Sequence, residues 1–408
     1  MKSRILSLIA ATVLALSASA ADMKTDRSWY LAGEAMMVSV TADDALIAYA
    51  ELCDTQGMVA GVMVGLRAGE GTGIIELPPS LHSGYYVLSV YTRDNAQVSQ
   101  QLVAVVNPLH KSEDDDIEWV SITHPDSLSY QSSMVNGQWS IVNGQSPDVR
   151  ETEGHIIKAR VRNVYEGHTY RGEVIRPSLG IVGRQIHYFE GKMVNDSTAV
   201  FFTYGVQGRQ SLVLSAITST GVSLPVEMIS PFAALLPKSL PHLVFHYQRS
   251  EVEARSLAMQ RHQLAIQPDT VPDYDETLFG VQPDLTYNLD EYRQFFTIRE
   301  VLLEYVKFVY KKKYNGVHKL FVSIEQDHYK DVLPTLVLID GMPVNDVDRL
   351  LKYDARRIHH INLYDGQYTF GHDIYNGILS FVTRSGRLTN YPTERNAQYL
   401  VYEFPYIP

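Results

Sequence analysis

Along most of this chain apolar and polar residues alternate with a period of two, and Gly, Pro, Asn or Asp interrupts the alternation at short intervals. A period of two puts successive side chains on opposite faces of a strand, so the pattern predicts short strands joined by turns. Between Asp22 and Val106 these are Met36–Thr41, Ile47–Leu52, Val59–Leu66, Gly73–Leu77, Tyr85–Tyr91 and Gln101–Val106. Short strands at this spacing favour an antiparallel sandwich. The stretch 107–153 is polar and turn-rich and reads as a linker carrying one short strand, Gln138–Val142. Strand patterning returns from Gly154 to Ile229 with His155–Val161, Leu179–Ile181, Ile186–Glu190, Ala199–Thr203 and Gln210–Ala216, predicting a second sandwich.

Beyond Pro231 the period changes. Ser250 with Glu253, and Thr297 with Glu300, are capping boxes that predict helices over Ser250–Ala265 and from Ile298 to Val309. Lys311, Lys312 and Lys313 then fall at the C-terminal end of the second helix, where cations complement its dipole. A strand at His318–Ile324 follows. Thr335–Ile339 is a buried strand stopped by Asp340, Gly341 and Pro343, Asp346 caps a helix over Val347–Leu351, and strands at Ile358–Leu363 and Gly377–Thr383 flank a loop. Tyr399–Phe404 alternates like a strand that adds to a sheet edge, its own or a partner's.

Three stretches resemble known families. "LVLIDGMPV" at Leu336–Val344 and "YNGILSFVTRSG" at Tyr375–Gly386 resemble the plug domain of TonB-dependent outer-membrane receptors. A receptor barrel needs many strands of about 9–11 residues after its plug, and only residues 387–408 follow Gly386, so the expectation is a plug-like domain without a barrel. "TDRSWYLAGEAMMVSV" at Thr25–Val40 and "LPPSLHSGYYVLSVYTRD" at Leu77–Asp94 resemble macroglobulin domains of the α2-macroglobulin superfamily. That family's thioester Cys-Gly-Glu-Gln is absent, Cys53 standing in "ELCDTQG", so covalent protease trapping is not implied. "GHIIKARVRN" at Gly154–Asn163 is similar to the first strand of carboxypeptidase-regulatory-like sandwiches. As a whole, with "YRQFFTIREVLLEYV" at Tyr292–Val306 before the plug-like end, the chain resembles exported Bacteroidota proteins of unassigned activity.

Composition narrows the function classes. A net charge of −11 argues against a nucleic-acid partner, which needs a clustered basic face. Lys2 and Arg4, the apolar run Ile5–Leu16 and Ala18-Ser19-Ala20 read as a secretory signal, with the mature chain starting near Ala21. No later apolar run reaches the roughly 18 residues of a membrane helix, so no transmembrane segment is expected in the mature chain. One cysteine, Cys53, allows no internal disulfide, and its strand-like setting predicts a buried thiol.

A search for chemistry yields no H-E-x-x-H, G-x-S-x-G, phosphate loop or G-x-G-x-x-G, so no catalytic residue, cofactor or metal is expected. "EDDD" at Glu113–Asp116 lacks the spacing of a calcium loop. His242 and His246 lie in a strand-like run, and His359 and His360, adjacent on a strand, are expected on opposite faces. Asp340 and Asp365 read as turn residues; with Asp373 they are also the carboxylates that a hydrolytic or glycan-processing alternative would bring together. The remaining signal is tyrosine, 26 in all. Tyr364, Gln367, Tyr368, Phe370, His372 and Tyr375, around the plug-like loop, are the predicted partner contact, and Gly366 to Asp373 should be removable without loss of fold.

The expected organisation is mainly β with a C-terminal α+β part: two Ig-like β-sandwiches followed by a small plug-like α/β domain. Its segments are a signal peptide (1–20), a macroglobulin-like sandwich (21–107), a linker (108–153), a second sandwich (154–230), a connector (231–290), the plug-like domain (291–390) and a tail (391–408). The expected function is an exported non-enzymatic binding or scaffold protein, periplasmic or outer-membrane-associated, with an envelope or outer-membrane protein as partner.

Overall fold

A computed structural model describes residues 21–43, 45–93, 98–107, 116–119, 151, 154–182, 187–247, 249–265, 281–314, 316–322, 333–370, 373–386 and 396–407. The signal-like residues 1–20 and the strand expected at Gln138–Val142 lie outside them. No helix among the described residues is long and apolar enough to cross a membrane.

The first unit is a β-sandwich. Strands β1 (Asp22–Thr25), β3 (Ala35–Thr41) and β6 (Glu70–Glu76) form one sheet, in the order β1-β3-β6. The other contains β2 (Trp29–Leu31), β4 (Ile47–Cys53), β5 (Met58–Gly65), β7 (Gly84–Thr92) and β8 (Ser99–Val106), in the order β2-β8-β7-β4-β5. On β3 the alternation is strict, with Met36, Val38 and Val40 inward against Ile75, Leu88 and Val103. Strand β4, by contrast, is buried on both faces. Ala48, Ala50 and Leu52 fill the sandwich, while Ile47 and Tyr49 belong to the core of the second unit.

The second unit pairs β10 (His155–Val161) with β16 (Thr198–Thr203) and β18 (Val226–Ile229), and β16 with β15 (Lys192–Asn195). Facing them are β13 (Ile175–Val182), β14 (His187–Glu190) and β17 (Gly208–Thr218), while β11 (Val164–Tyr165) and β12 (His168–Thr169) form a small hairpin. The predicted linker is not wholly irregular: β9 (Asp116–Trp119) pairs in parallel with β19 (Val244–Tyr247). "EDDD" thus runs into a strand at Asp116, a pairing across more than a hundred residues that no local pattern announces.

Helix α1 (Arg249–Ala265) matches the expected span. It is docked by Val252 and by Arg255, which donates to Glu34 (2.9 Å) and lies 3.8 Å over the Trp29 ring. Helix α2 (Ile298–Glu304) carries the Thr297–Glu300 capping box. It stops well short of Val309, because Phe308 turns into the left-handed region (φ 69°) and β21 (Val309–Tyr314) pairs with β22 (Val317–Val322). Lys311–Lys313 therefore lie on a strand, not at a helix C-terminus.

Around α2 is a mixed sheet in the order β20-β25-β26-β23-β24. Its strands are β20 (Leu285–Asn288), β23 (Leu336–Ile339), β24 (Met342–Pro343), β25 (Ile358–Phe370) and β26 (Asp373–Thr383), with α3 (Val347–Leu350) capped by Asp346 as expected. Asp340 (φ 45°) and Gly341 (φ 81°) make the two-residue turn from β23 to β24, both residues with the positive φ of a type I′ loop. The Asp340 carboxylate accepts the N–H and the hydroxyl of Thr383. Lastly β27 (Gln398–Phe404) pairs with β17, from Gly208↔Phe404 to Leu214↔Gln398. The alternating tail is therefore an edge strand of its own chain, and the α/β unit is inserted between two strands of the second sandwich.

Buried carboxylates join the units. Glu151 accepts from Arg93 Nη1 (2.7 Å), the Tyr49 hydroxyl (2.7 Å) and the Ile156 N–H (2.9 Å), and its Oε1 lies 2.9 Å from His155 Nδ1. His155 Nε2 is 2.7 Å from the Tyr402 hydroxyl on β27. Burial opposes ionisation of Glu151, but the His155 hydrogen bond and the Arg93 charge outweigh it and hold the carboxyl below its usual range. Glu51, on β4, accepts from the N–H groups of Ala234 and Leu235 and from the Tyr91 hydroxyl, and so ties the connector to the first sandwich. Removing one member of a buried ion pair leaves a stranded charge, which costs about 3–5 kcal/mol. Arg93→Met is expected to lose that much stability in urea unfolding, and adding Glu151→Met should restore a large part of it. A loss under about 1 kcal/mol for Arg93→Met would show that this contact does not hold the units together.

Candidate functional site

The predicted contact residues do not form one surface. Tyr364 is 1% exposed, packed with Leu336, Leu338 and Ile378, because its side of β25 faces the second sandwich. The expected loop is instead the two arms of a long hairpin, whose pairs include Gln367↔Asn376 and Tyr368↔Tyr375, so Gly366 to Asp373 is not a dispensable excursion. Tyrosine's strand propensity, read as a surface signal, produced that error. Gln367 is exposed; Tyr368 is half-buried and donates its hydroxyl to the Asp365 carbonyl (3.1 Å). Phe370 ends β25 with a side chain outside the described residues, as His372 is. Tyr375 reaches the second sandwich, where it hydrogen-bonds Tyr188.

Sheet register explains how the two bodies meet. On β13, Leu179 and Ile181 point into the second sandwich, so Arg176, Ser178 and Gly180 point outward. Tyr188 and Glu190 on β14, opposite Gly180 and Ser178, share that face, as do Val213, Ser215 and Ile217 on β17. Small residues at its centre admit the α/β unit. A Cβ on Gly180 would stand 2.3 Å from the Gly341 carbonyl oxygen, so only glycine fits there. Val213 is buried in the α/β core, and Ser178 and Ser215 hydroxyls satisfy each other at 2.8 Å.

Away from this contact the surfaces diverge into a cleft of about 400 Å³. Its floor is the sandwich face, with Arg176, Ser178, Tyr188 and Glu190; its roof carries Lys319, Thr335, Pro343, Asn345 and Tyr375. Burial, then the neighbouring Tyr375, pushes the Tyr188 phenol well above its ordinary range, so it stays protonated and able to donate. Among the predicted contact residues whose side chains are described, Tyr375 alone lines this cleft. The other lining groups come from segments far apart in sequence: Pro343 belongs to the "LVLIDGMPV" block, whereas Arg176, Tyr188 and Glu190 belong to none of the quoted motifs.

Other candidate chemistry resolves differently. Asp340 binds Thr383 at one end of β26, whereas Asp365 follows Tyr364, the partner of Ile378 at the middle of that strand. Five residues of strand separate these points by about 17 Å, and the two carboxylates share no site. Cys53 is buried, and its thiol is pushed up to about 12 by burial and then by Glu51. Among the described residues no three His, Cys, Asp or Glu side chains converge as metal ligands do. His359 and His360 were expected to diverge, but a bulge between Ile358 and His360 breaks the alternation, and their Nδ1 atoms lie 2.8 Å apart. Glu151, His155 and Tyr402 line up as carboxylate, imidazole and hydroxyl, yet all three are buried at the contact between the sandwiches.

No family model matches the chain, and no curated protein matches it. Among solved structures it is similar to a biofilm-associated protein BSP domain (12% identity, 54% of this chain and 30% of that one, TM-score 0.18). It is also similar to native Escherichia coli α2-macroglobulin (14% identity, 52% of this chain and 14% of that one, TM-score 0.20) and to fibronectin(III)-like modules of Clostridium thermocellum CbhA (10% identity, 55% and 100%, TM-score 0.15). The chain thus spans less than a third of the first two, and its mainly β, sandwich-based fold class rests on its own strand pairing.

Burial, then the charge of His359, lowers the His360 pKa to about 4, and burial lowers that of His155 as well. Each folded imidazole refuses a proton that the unfolded chain takes up near pH 6.5, so this stability is complete above that pH and is lost as the pH falls, for His360 towards about 4. Glu51, its carboxyl raised by burial, acts in the opposite sense, so a substitution is needed to isolate the imidazole. Between pH 7 and 4 the His360→Asn protein should lose less stability than wild type, by about 3 kcal/mol in urea titrations. Equal slopes for the two proteins would refute the assignment.

Proposed function

We propose that this chain is an exported, non-enzymatic binding or scaffold protein of the bacterial cell envelope, acting in an outer-membrane-associated complex. One observation carries the reading. Large apolar side chains stand in solvent around α2 of the α/β unit: Phe296 is 67% exposed, Leu303 73% and Phe308 44%. Leu303 lies on the last turn of α2, and Phe296 directly precedes the Thr297 cap at the other end of the helix. Arg356 lies 5.1 Å over the Phe296 ring and steadies it. Exposed aromatic and aliphatic groups beside arginine have the composition of a protein contact. The leader-like N-terminus supports export, and the plug-like sequence supports an outer-membrane setting. This surface replaces the Tyr364–Tyr375 hairpin as the place where a protein partner docks.

Crosslinked envelopes supply the test. Tagged full-length protein should recover the same outer-membrane protein repeatedly, and a Phe296→Ser, Leu303→Ser variant with an unchanged unfolding midpoint should lose it. Recovery of the wild-type chain alone from the free periplasmic fraction would sink the proposal.

A further inference from the structure

Beside the α2 surface the α/β unit carries a second exposed feature, the hairpin of β21 and β22. We infer that β21 is a docking edge for an anionic phospholipid surface; this rests on the membrane-associated setting proposed above, but not on the protein contact at Phe296 and Leu303. Charge carries it. The whole chain has a net charge of −11, yet between Glu304 and Glu325 stand five lysines, Lys307, Lys311, Lys312, Lys313 and Lys319, and no Asp or Glu. Asp348 answers one of them from outside the segment, lying 3.2 Å from Lys311 and 2.6 Å from His318. Lys307, Lys312 and Lys313 are exposed and have no carboxylate partner among the described residues. An acidic protein thus concentrates unneutralised positive charge on one strand and the turn that leads into it.

Local geometry presents that charge outward. Successive strand residues point to opposite faces, so the joint exposure of Lys311, Lys312 and Lys313 means that β21 projects with both faces in water. Among the described strands it pairs with β22 alone, and that register sets Lys312 directly opposite Lys319. Like charges in such a pair work against the hairpin, and an anion laid along the strand relieves them. Where the strand begins, Phe308 holds a left-handed backbone (φ 69°) that is unfavourable for a bulky residue, and its ring is 44% exposed. The residue type selects the partner. Apart from His318, every cation of the segment is lysine and none is arginine. Arginine's planar fork suits a carboxylate held in fixed geometry, as in a folded protein contact, whereas lysine is a mobile point charge suited to a fluid layer of phosphates. Phe308, between Lys307 and Lys311, is placed to enter that layer as aromatic groups do at membrane interfaces.

Co-sedimentation of the full mature chain with vesicles tests the inference. The wild-type chain should bind vesicles of phosphatidylglycerol mixed with phosphatidylethanolamine at low salt, release them in about 0.5 M NaCl, and ignore phosphatidylcholine vesicles. Each lysine near an anionic leaflet contributes about fivefold in affinity, so Lys307→Gln, Lys312→Gln and Lys313→Gln together should weaken binding about a hundredfold. A matched triple, Lys24→Gln, Lys192→Gln and Lys238→Gln, removes the same charge from exposed positions elsewhere and should bind as wild type does. If the hairpin triple unfolds, the single Lys312→Gln and Lys313→Gln variants decide instead, each expected to lose about fivefold. Absence of binding to anionic vesicles by the wild-type chain would overturn the inference, and so would equal losses in the two triples, which would reduce it to overall charge. Loss of the partner protein from crosslinked envelopes in the hairpin triple, with vesicle binding unchanged, would also overturn it by assigning the lysines to an acidic protein. Failure on vesicles leaves the α2 reading standing, because the Phe296→Ser, Leu303→Ser variant tests that reading on recovery of a protein.

Discussion

Burial of Glu151 is the constraint on which the arrangement of the units depends. A carboxylate taken out of water is tolerated only when its oxygens are fully engaged. The groups that engage this one come from β4, from the end of β7 and from the start of β10, while His155 relays the contact to β27. Satisfying one charge therefore positions both sandwiches and the last strand together. The same device recurs with Glu51, which gathers the N–H groups of the connector, and with Glu34, which receives Arg255 of α1. An acidic chain has used three carboxylates on or beside its first sandwich to fasten segments that come later in sequence.

That fastening makes the chain a discontinuous assembly rather than beads in order. The α/β unit leaves the second sandwich after β18 and β27 returns to it, so the inserted unit is held at both ends. Its docking face depends on small residues: Gly180 lets a backbone carbonyl approach, and the Ser178–Ser215 pair keeps the same face both small and satisfied. A cleft remains where the outward residues grow larger, at Arg176, Tyr188 and Glu190. Its location thus follows from the same register that makes the contact.

Legibility differed between the fold and the site. Strand β10 and helix α3 with its Asp346 cap were readable because alternation and capping chemistry act within a few residues. Apolar spacing continues to Val309, beyond the end of α2 at Glu304, while the left-handed turn at Phe308 has no signature in a bulky aromatic. His359 and His360 were assigned to opposite faces on strict alternation, which the bulge suspends. Tyr364 looked like surface because a tyrosine in an apparent loop and a tyrosine buried in a strand are the same letter. Exposed Leu303 has a visible signal, an apolar residue off the buried stripe of a short capped helix, whereas Phe296 precedes the cap, where no helical period marks its face.

Taken by itself, the sequence determined the strand-rich class, the positions of most strands, the capped starts of α2 and α3 and the Asp340-Gly341 turn. Each of these depends on local backbone preference and on the period of burial. Tertiary structure alone decided that the tail completes the second sandwich, that Glu151 joins both sandwiches, and that a cleft opens above β13. Those outcomes depend on which distant surfaces satisfy each other's polar groups and fit each other's small residues, and a linear pattern carries no record of such pairings.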